Sequence, residues 1–160
     1  MTDTAVVSLP YFEQDALKVA AFLGADHVPY SPEAFPELFR TRKRIIALMS
    51  MGIVVRQLAP LLSDKWTDPA VVVISPDFRY AIPLLGGHHG ANALARELAG
   101  LGLVPVITTA TESRGRDSVE SVAERAGMAV VNRDSTRSVN AALLDRDVPD
   151  ENPPFVGLDR

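Results

Sequence analysis

The chain has 160 residues, of which 47% are hydrophobic and 22% charged, and its net charge at pH 7 is −4. These values are typical of one globular domain, which we expect at residues 1–148, followed by a loosely ordered tail at 149–160. The acidic balance argues against a nucleic-acid partner, and the absence of cysteine excludes disulfides, thiolate metal ligands and cysteine nucleophiles. The first residues lack the basic region of a signal peptide and no apolar run reaches the ~20 residues of a membrane span, so we expect a cytoplasmic protein without a membrane partner.

Short apolar runs alternate with segments of helical periodicity. The pattern predicts strands at 5–9, at 44–50, two within 70–85, at 104–110 and at 128–132. It predicts helices between and after these strands, at 13–24, 31–41, 53–62, 91–102, 117–127 and 135–145. The turn residues Ser75, Pro76 and Asp77 divide 70–85 into a hairpin. We therefore expect an α/β fold with a mainly parallel sheet and helices on both faces, Rossmann-like, with an inserted β-hairpin.

Three strand-to-helix junctions are candidates for a functional site. They are MSMG at 49–52, LLGGHHGAN at 84–92 and TTATESRGR at 108–116. In parallel α/β sheets, ligands bind beyond the carboxyl ends of the strands. If the strands at these junctions are parallel, all three junctions lie at one edge of the sheet and form one site.

The glycine-rich junction is the strongest of the three candidates. Gly86, Gly87 and Gly90 allow close approach of the backbone to a ligand, and the imidazoles of His88 and His89 are side chains of the type that serves as a general base or acid. The spacing is neither GxGxxG nor that of a P-loop. Metal binding is disfavoured, because adjacent side chains diverge and no carboxylate lies at ligand spacing. The alternative interpretation is a tight turn in which the histidines only cap the helix or bind the backbone.

The other two junctions offer further candidates. Gly52 would give backbone clearance at a helix start, and Arg56 either contacts a ligand or forms an ordinary ion pair. The third junction carries groups that either cap the next helix or bind an anion, namely Thr108, Thr109, Thr111 and Arg114. We assign His27 and Trp66 to structural roles, and Asp68 to an Asx-type turn before a strand.

Three long motifs of the chain resemble one known family. They are ALMSMGIVVRQLAPLLSDKWTDPAVVVI, IPLLGGHHGANALARELA and VPVITTATE, in this order along the chain. The sequence resembles the CbiG family of cobalamin (vitamin B12) biosynthesis, the cobalt-precorrin-5A hydrolases. The resemblance is strongest over residues 38–112 and continues more weakly to about residue 145. It covers the N-terminal and central region only, because many family members carry an additional C-terminal domain.

The resemblance implies a hydrolase that opens the δ-lactone of a cobalt-precorrin, after which acetaldehyde is released. It implies His88 as general base or proton shuttle, with His89 as the second candidate. The substrate-binding residues that it and the junctions indicate are Gly52, Arg56, Gly86, Gly87, Gly90, Asn92, Thr108, Thr109, Thr111 and Arg114. The family chemistry requires no resident cofactor or metal, because the cobalt belongs to the substrate.

Two other functions are compatible with the sequence. One is a non-catalytic corrinoid-binding or carrier subunit that needs a partner chain, and the other is a nucleotide-binding α/β module, which the missing phosphate fingerprints disfavour. The expected partners are a cobalt-corrinoid intermediate and a separate chain that supplies the missing C-terminal domain. The edge strands of a small sheet are also compatible with a homodimer.

Overall fold

The computed structural model describes residues 2–110, 115 and 118–145. The chain divides into two compact units, residues 1–109 and residues 110–160. The first unit contains a six-stranded sheet with its helices, and the described part of the second contains two helices. None of the helices in the described residues has the length and apolar character needed to cross a bilayer.

The first unit confirms the predicted α/β fold. Its strands are β1 (Thr4–Ser8), β2 (Asp26–Pro29), β3 (Arg44–Leu48), β4 (Ala70–Ile74), β5 (Tyr80–Leu85) and β6 (Val104–Pro105). Its helices are α1 (Glu13–Leu23), α2 (Ala34–Thr41), α3 (Met51–Leu58) and α4 (Ala91–Glu97). The sheet order is β2-β1-β3-β4-β5-β6; the first four strands are mutually parallel, β5 is antiparallel to β4, and β6 is parallel to β5.

Helices cover both faces of the sheet. Along β3, Ile46 and Leu48 pack in one buried cluster with residues of α1 and α4. The alternate residues Ile45 and Ala47 pack in a second cluster with residues of α2 and α3. Successive side chains of a strand point to opposite faces, so a strand covered on both sides has a continuous apolar run, as β3 has in its four buried residues after Arg44.

A tight turn makes β5 antiparallel to its neighbour. The link of residues 75–79 is too short for the crossover that a parallel strand would need. The Ser75 hydroxyl accepts the Tyr80 N–H at 3.0 Å and donates to the Asp77 carboxylate, and the Ser75 carbonyl accepts the Phe78 N–H at 2.8 Å. The predicted hairpin is therefore confirmed, and its direction decides where the following residues lie.

The direction of β5 separates the three candidate junctions. We call the end of the sheet where β1–β4 begin the amino edge, and the end where they finish the carboxyl edge. Leu85, at the end of β5, lies opposite Val71, near the start of β4, so the turn after β5 lies at the amino edge. The segment after β6 leaves at the same edge, whereas the junction at 49–52 follows β3 at the carboxyl edge. The expectation that all three junctions share one edge is wrong.

Two predicted strands differ from the structure, and one observed strand was not predicted. β2 was not predicted, because its sequence DHVP contains a charge and a proline; it forms through pairing with β1, and its His27 Nε2 lies 3.0 Å from the Ser8 hydroxyl, in agreement with a structural role. β6 has only two residues of the predicted 104–110. The predicted strand at 128–132 is wrong, because in the described residues this apolar run has no neighbouring strand to share backbone hydrogen bonds, and Val131 is 79% exposed.

The described part of the second unit is a helix pair, α5 (Val119–Arg125) and α6 (Thr136–Asp145). The Ser118 hydroxyl accepts the Ser121 N–H at 3.0 Å, as an N-cap does. Asn140 of α6 joins the helices, because its side chain accepts the Val119 N–H and donates to the Glu120 carboxylate. The predicted single domain at 1–148 and the tail at 149–160 stay predictions, since the residues after 145 lie outside the described part.

An ion pair near the start of β2 makes stability dependent on pH. The hydrogen bond from the largely buried Arg42 guanidinium, together with one from the Thr2 N–H, holds the pKa of the Asp26 carboxyl below its ordinary value of 3.8. A lowered folded-state pKa stabilises the fold above the unfolded value, and this contribution disappears as the pH falls through the folded value.

We therefore expect Asp26→Asn to lower the melting temperature at pH 7. As the pH falls below 3.8 and through the lowered folded-state pKa, the melting temperature of the variant should approach that of the unmodified chain. The control is Asp15→Asn, which removes the exposed helical pair with Lys18 and should change the melting temperature little. Thermal unfolding across this pH range measures both variants. An equal loss at acid and neutral pH would contradict the role of the ion pair.

Candidate functional site

The glycine-rich turn at the amino edge closes on a single carbonyl. Gly86 has a φ of 66° and begins the turn, and its carbonyl accepts the N–H groups of His89 at 2.8 Å and Ala91 at 3.0 Å. A Cβ at Gly86 would lie 3.1 Å from the Cα of Ala70, so both the backbone angle and the close packing on β4 require glycine. Gly90, with a φ of 104°, completes the turn before α4.

The predicted second and third junctions meet at one small cluster. The buried side chain of Asn92, 2% exposed, donates from Nδ2 to the Thr109 hydroxyl at 3.0 Å. A Cβ at Gly87 would lie 2.7 Å from Cγ2 of Thr109 and 3.2 Å from Oδ1 of Asn92. Gly87 therefore has no room for a side chain, and the contact of Asn92 with Thr109 holds the turn against the segment after β6.

The two histidines lie at the surface of this turn. His88 and His89 are both half-buried, in a single turn of 3-10 helix between the two positive-φ glycines. The ring centroid of His89 lies 4.7 Å from that of Trp66, with the planes tilted by 58°. Trp66 therefore brings the loop before β4 against the histidine turn, in addition to the structural role expected for it.

The loop before β4 is fixed by its own acidic side chains. The Asp68 carboxylate accepts the Ser63 N–H, at 3.0 Å and 3.3 Å from its two oxygens, and Asp64 Oδ1 accepts the Trp66 N–H at 2.7 Å. The Asx-type turn expected at Asp68 is thus made by Asp64, while Asp68 binds across the loop. This loop, residues 62–68, lies beside the glycine-rich turn, as the segment after β6 does.

The structure brings together some of the predicted site residues and not others. At the amino edge it gathers Gly86, Gly87, His88, His89, Gly90, Asn92, Thr108 and Thr109, with the Thr108 side chain exposed. Gly52 lies in the first turn of α3, at the carboxyl edge. Arg56 lies exposed in the last turn of α3, and in the described residues it has no hydrogen bond or ion pair with the histidine turn. Thr111 and Arg114 lie outside the described residues.

Lys65 and Trp66 were missed as candidates for this site. The signal was present in the sequence, because a hairpin at 70–85 returns the chain to the start of β4. The segment before β4 and the segment after β5 must then be neighbours. A site at the carboxyl ends of parallel strands would not include a loop that precedes a strand, whereas the antiparallel direction of β5 brings this loop to the turn.

The histidine turn carries side chains that can act in acid–base chemistry. In the described part of the chain, no group of three or more His, Asp or Glu side chains is placed to hold a metal ion. The imidazoles of His88 and His89 can exchange protons with a ligand at the amino edge. The N–H groups of His89 and Ala91 both bind the Gly86 carbonyl, so these two donors are engaged within the turn.

We expect Gly87→Ala to lower the free energy of unfolding by about 1–3 kcal/mol, because the added methyl group overlaps Thr109. Thr109→Ser removes the obstructing methyl group and keeps the hydroxyl that Asn92 binds. The double variant should therefore lose less than the sum of the single losses, by about 1 kcal/mol.

Denaturant unfolding of both single variants and the double variant measures this coupling. Gly52→Ala is the matched control, because no atom lies within 4 Å of the added Cβ, and its stability should be unchanged or higher. Strictly additive losses would show that the close packing of Gly87 against Thr109 is not what constrains the turn.

Three comparisons with known proteins bear on this chain. The cobalt-precorrin-5A hydrolase of Priestia megaterium is 40% identical over 114 residues, which are 70% of this chain and 30% of that protein. The cobalt-precorrin-5A hydrolase of Salmonella typhimurium is 43% identical over 111 residues, which are 68% of this chain and 32% of that protein. The crystal structure of a cobalamin biosynthesis protein G homolog from Sulfolobus solfataricus has a TM-score of 0.62 and 26% identity, covering 94% of this chain and 51% of that one.

The chain thus spans about a third of the length of the curated relatives that it matches. The family model described as cobalamin synthesis G N-terminal matches residues 33–112. This range contains the loop before β4, the glycine-rich turn and the segment with Thr108 and Thr109. The match covers half of the chain, and its motifs are those on which the sequence resemblance rests. The chain belongs to the CbiG family of cobalamin biosynthesis, and the part of the family that it matches is the N-terminal region.

Proposed function

We propose that the chain acts in cobalamin biosynthesis as a hydrolase of a cobalt-precorrin, opening its δ-lactone with subsequent release of acetaldehyde. One observation carries the proposal: the family match at 33–112 contains both junctions that the contact of Asn92 with Thr109 joins at the amino edge. The relatives named cobalt-precorrin-5A hydrolase support the reaction and the substrate class.

The proposed chemistry needs a base near the lactone carbonyl. His88 removes a proton from water, whose oxygen forms a bond to the lactone carbonyl carbon, and the ring oxygen leaves and takes up a proton. The products are a carboxylic acid and a hydroxyl group. The hydroxyl then loses its proton and its oxygen becomes the carbonyl oxygen of acetaldehyde, while the neighbouring carbon–carbon bond breaks and the ring carbon keeps the electron pair and takes up a proton. His89, whose ring contacts Trp66, is the second candidate for the proton transfer.

The glycine-rich turn would hold the substrate beside this base. Gly86 and Gly90 carry no side chains at the two ends of the turn, and we propose that the half-buried histidine face between them borders the ligand. The exposed Thr108 hydroxyl and the Thr109 segment border the same region. The cobalt is part of the proposed substrate. We propose a cytoplasmic location for the chain.

The length of the curated relatives bears on the partner. This chain spans about a third of them, and we propose that full activity requires the region that corresponds to the rest, which the assay supplies as a partner polypeptide. A homodimer stays an alternative for the assembly. The assay below is therefore run with the 160-residue chain alone and with that partner added.

We expect His88→Gln to slow acetaldehyde release by about 10²-fold, while binding of the lactone substrate is retained, because glutamine keeps polarity but cannot take up the proton. Anaerobic incubation with the cobalt-precorrin lactone and measurement of acetaldehyde checks this. His27→Gln is the matched control, since this histidine pairs with Ser8 between β1 and β2. An undiminished rate in His88→Gln would exclude His88 from the mechanism.

The same assay separates the hydrolase from the carrier subunit. Tight corrinoid binding, with acetaldehyde released only when a second protein is added and at a rate that His88→Gln does not change, would favour the carrier. Release of acetaldehyde by the isolated chain supports the hydrolase. Preference for ATP or NAD over the corrinoid would contradict both.

A further inference from the structure

A cavity lies beside the histidine turn at the amino edge. Its volume is about 290 Å³, and it is lined by Leu62, Ser63, Asp64, Lys65, Asp68, Leu85 and Gly86. Gly86 belongs both to the cavity wall and to the turn that carries His88 and His89. The cavity therefore adjoins the proposed site of hydrolysis, although most of its lining comes from a loop with no assigned function.

The two acidic side chains that line this cavity accept hydrogen bonds from backbone N–H groups of the same loop. Both oxygens of Asp68 face the Ser63 N–H, and Oδ1 of Asp64 faces the Trp66 N–H. These charge-assisted hydrogen bonds define the path of the loop and offset part of the negative charge. Lys65 is the cationic side chain of the wall.

The indole of Trp66 joins the cationic and imidazole side chains. The Lys65 ammonium lies 4.7 Å from the centre of the Trp66 ring, within the range of a cation–π contact. The His89 ring lies 4.7 Å from the same indole. An ammonium group and an imidazole are thus held on one aromatic side chain, next to a cavity and at the border of the histidine turn.

We infer that this cavity binds one carboxylate-bearing peripheral arm of the ligand, with Lys65 as the residue that recognises the carboxylate. The inference rests on the proposed function, whose substrate carries acetate and propionate arms around a macrocycle. A cavity of about 290 Å³ admits a single arm of this kind but not the ring itself. With one arm seated here, the adjoining part of the macrocycle lies over the histidine turn.

Equilibrium dialysis with two cobalt corrinoids tests the inference. One probe is cobyrinic acid, whose peripheral arms end in carboxylates, and the other is the same corrinoid with those carboxylates converted to primary amides. Lys65→Gln removes the charge and keeps much of the side-chain length. We expect it to weaken binding of cobyrinic acid about tenfold and to leave binding of the amide unchanged, because only the carboxylate forms a charge-assisted contact.

Two further variants control the measurement. Lys65→Arg keeps the charge and should restore most of the affinity for cobyrinic acid. Lys18→Gln makes the same substitution on the exposed surface of α1 and should affect neither probe. Far-ultraviolet circular dichroism verifies the fold of each variant before dialysis, because the emission of Trp66 would respond directly to a change at Lys65.

The outcomes separate this inference from the proposed function. Loss of cobyrinic acid affinity in Lys65→Gln alone supports the carboxylate site, even if the chain releases no acetaldehyde. Equal weakening of both probes, an unchanged affinity for cobyrinic acid, or no binding of cobyrinic acid by the unmodified chain would overturn the inference. Acetaldehyde release by the unmodified chain with any of these results would leave the hydrolase proposal standing.

Discussion

The reversal of the chain at Ser75 determines which segments can form a site. The Ser75 side chain binds backbone and side-chain groups of the turn, and residues 75–79 are too few to cross over the sheet. β5 must therefore return along β4 towards the amino edge. This places the glycine-rich turn next to the loop that precedes β4, and separates it from the junction at 49–52.

Close packing then fixes the shape of the turn. Gly86 packs on Ala70 of β4, and Gly87 packs on Thr109, so the turn is held from two sides by atoms that leave no space for a Cβ. The buried Asn92 adds a directional contact to the Thr109 hydroxyl. A turn held in this way presents His88 and His89 in a preformed arrangement, which acid–base chemistry requires of its catalytic groups.

The amino edge also carries a local cationic group in this acidic chain. Its net charge is −4, yet the loop before β4 places Lys65 on the indole of Trp66, beside the histidines. The Asp64 and Asp68 carboxylates serve the backbone of that loop. Local placement of charge, rather than the total, therefore decides what this edge can bind.

The sequence by itself determined the α/β class, the hairpin, the position of the glycine-rich turn before a helix, and the family. All of these can be read within short segments, because periodicity and turn chemistry act between residues that are near in sequence, and a family motif is a run of neighbouring residues. Only the tertiary structure decided that Thr109 meets Gly87 and that Trp66 meets His89, because contacts between distant segments depend on strand direction and pairing. The same reason explains why the polar segment DHVP became a strand beside β1, while the apolar run at 128–132 did not.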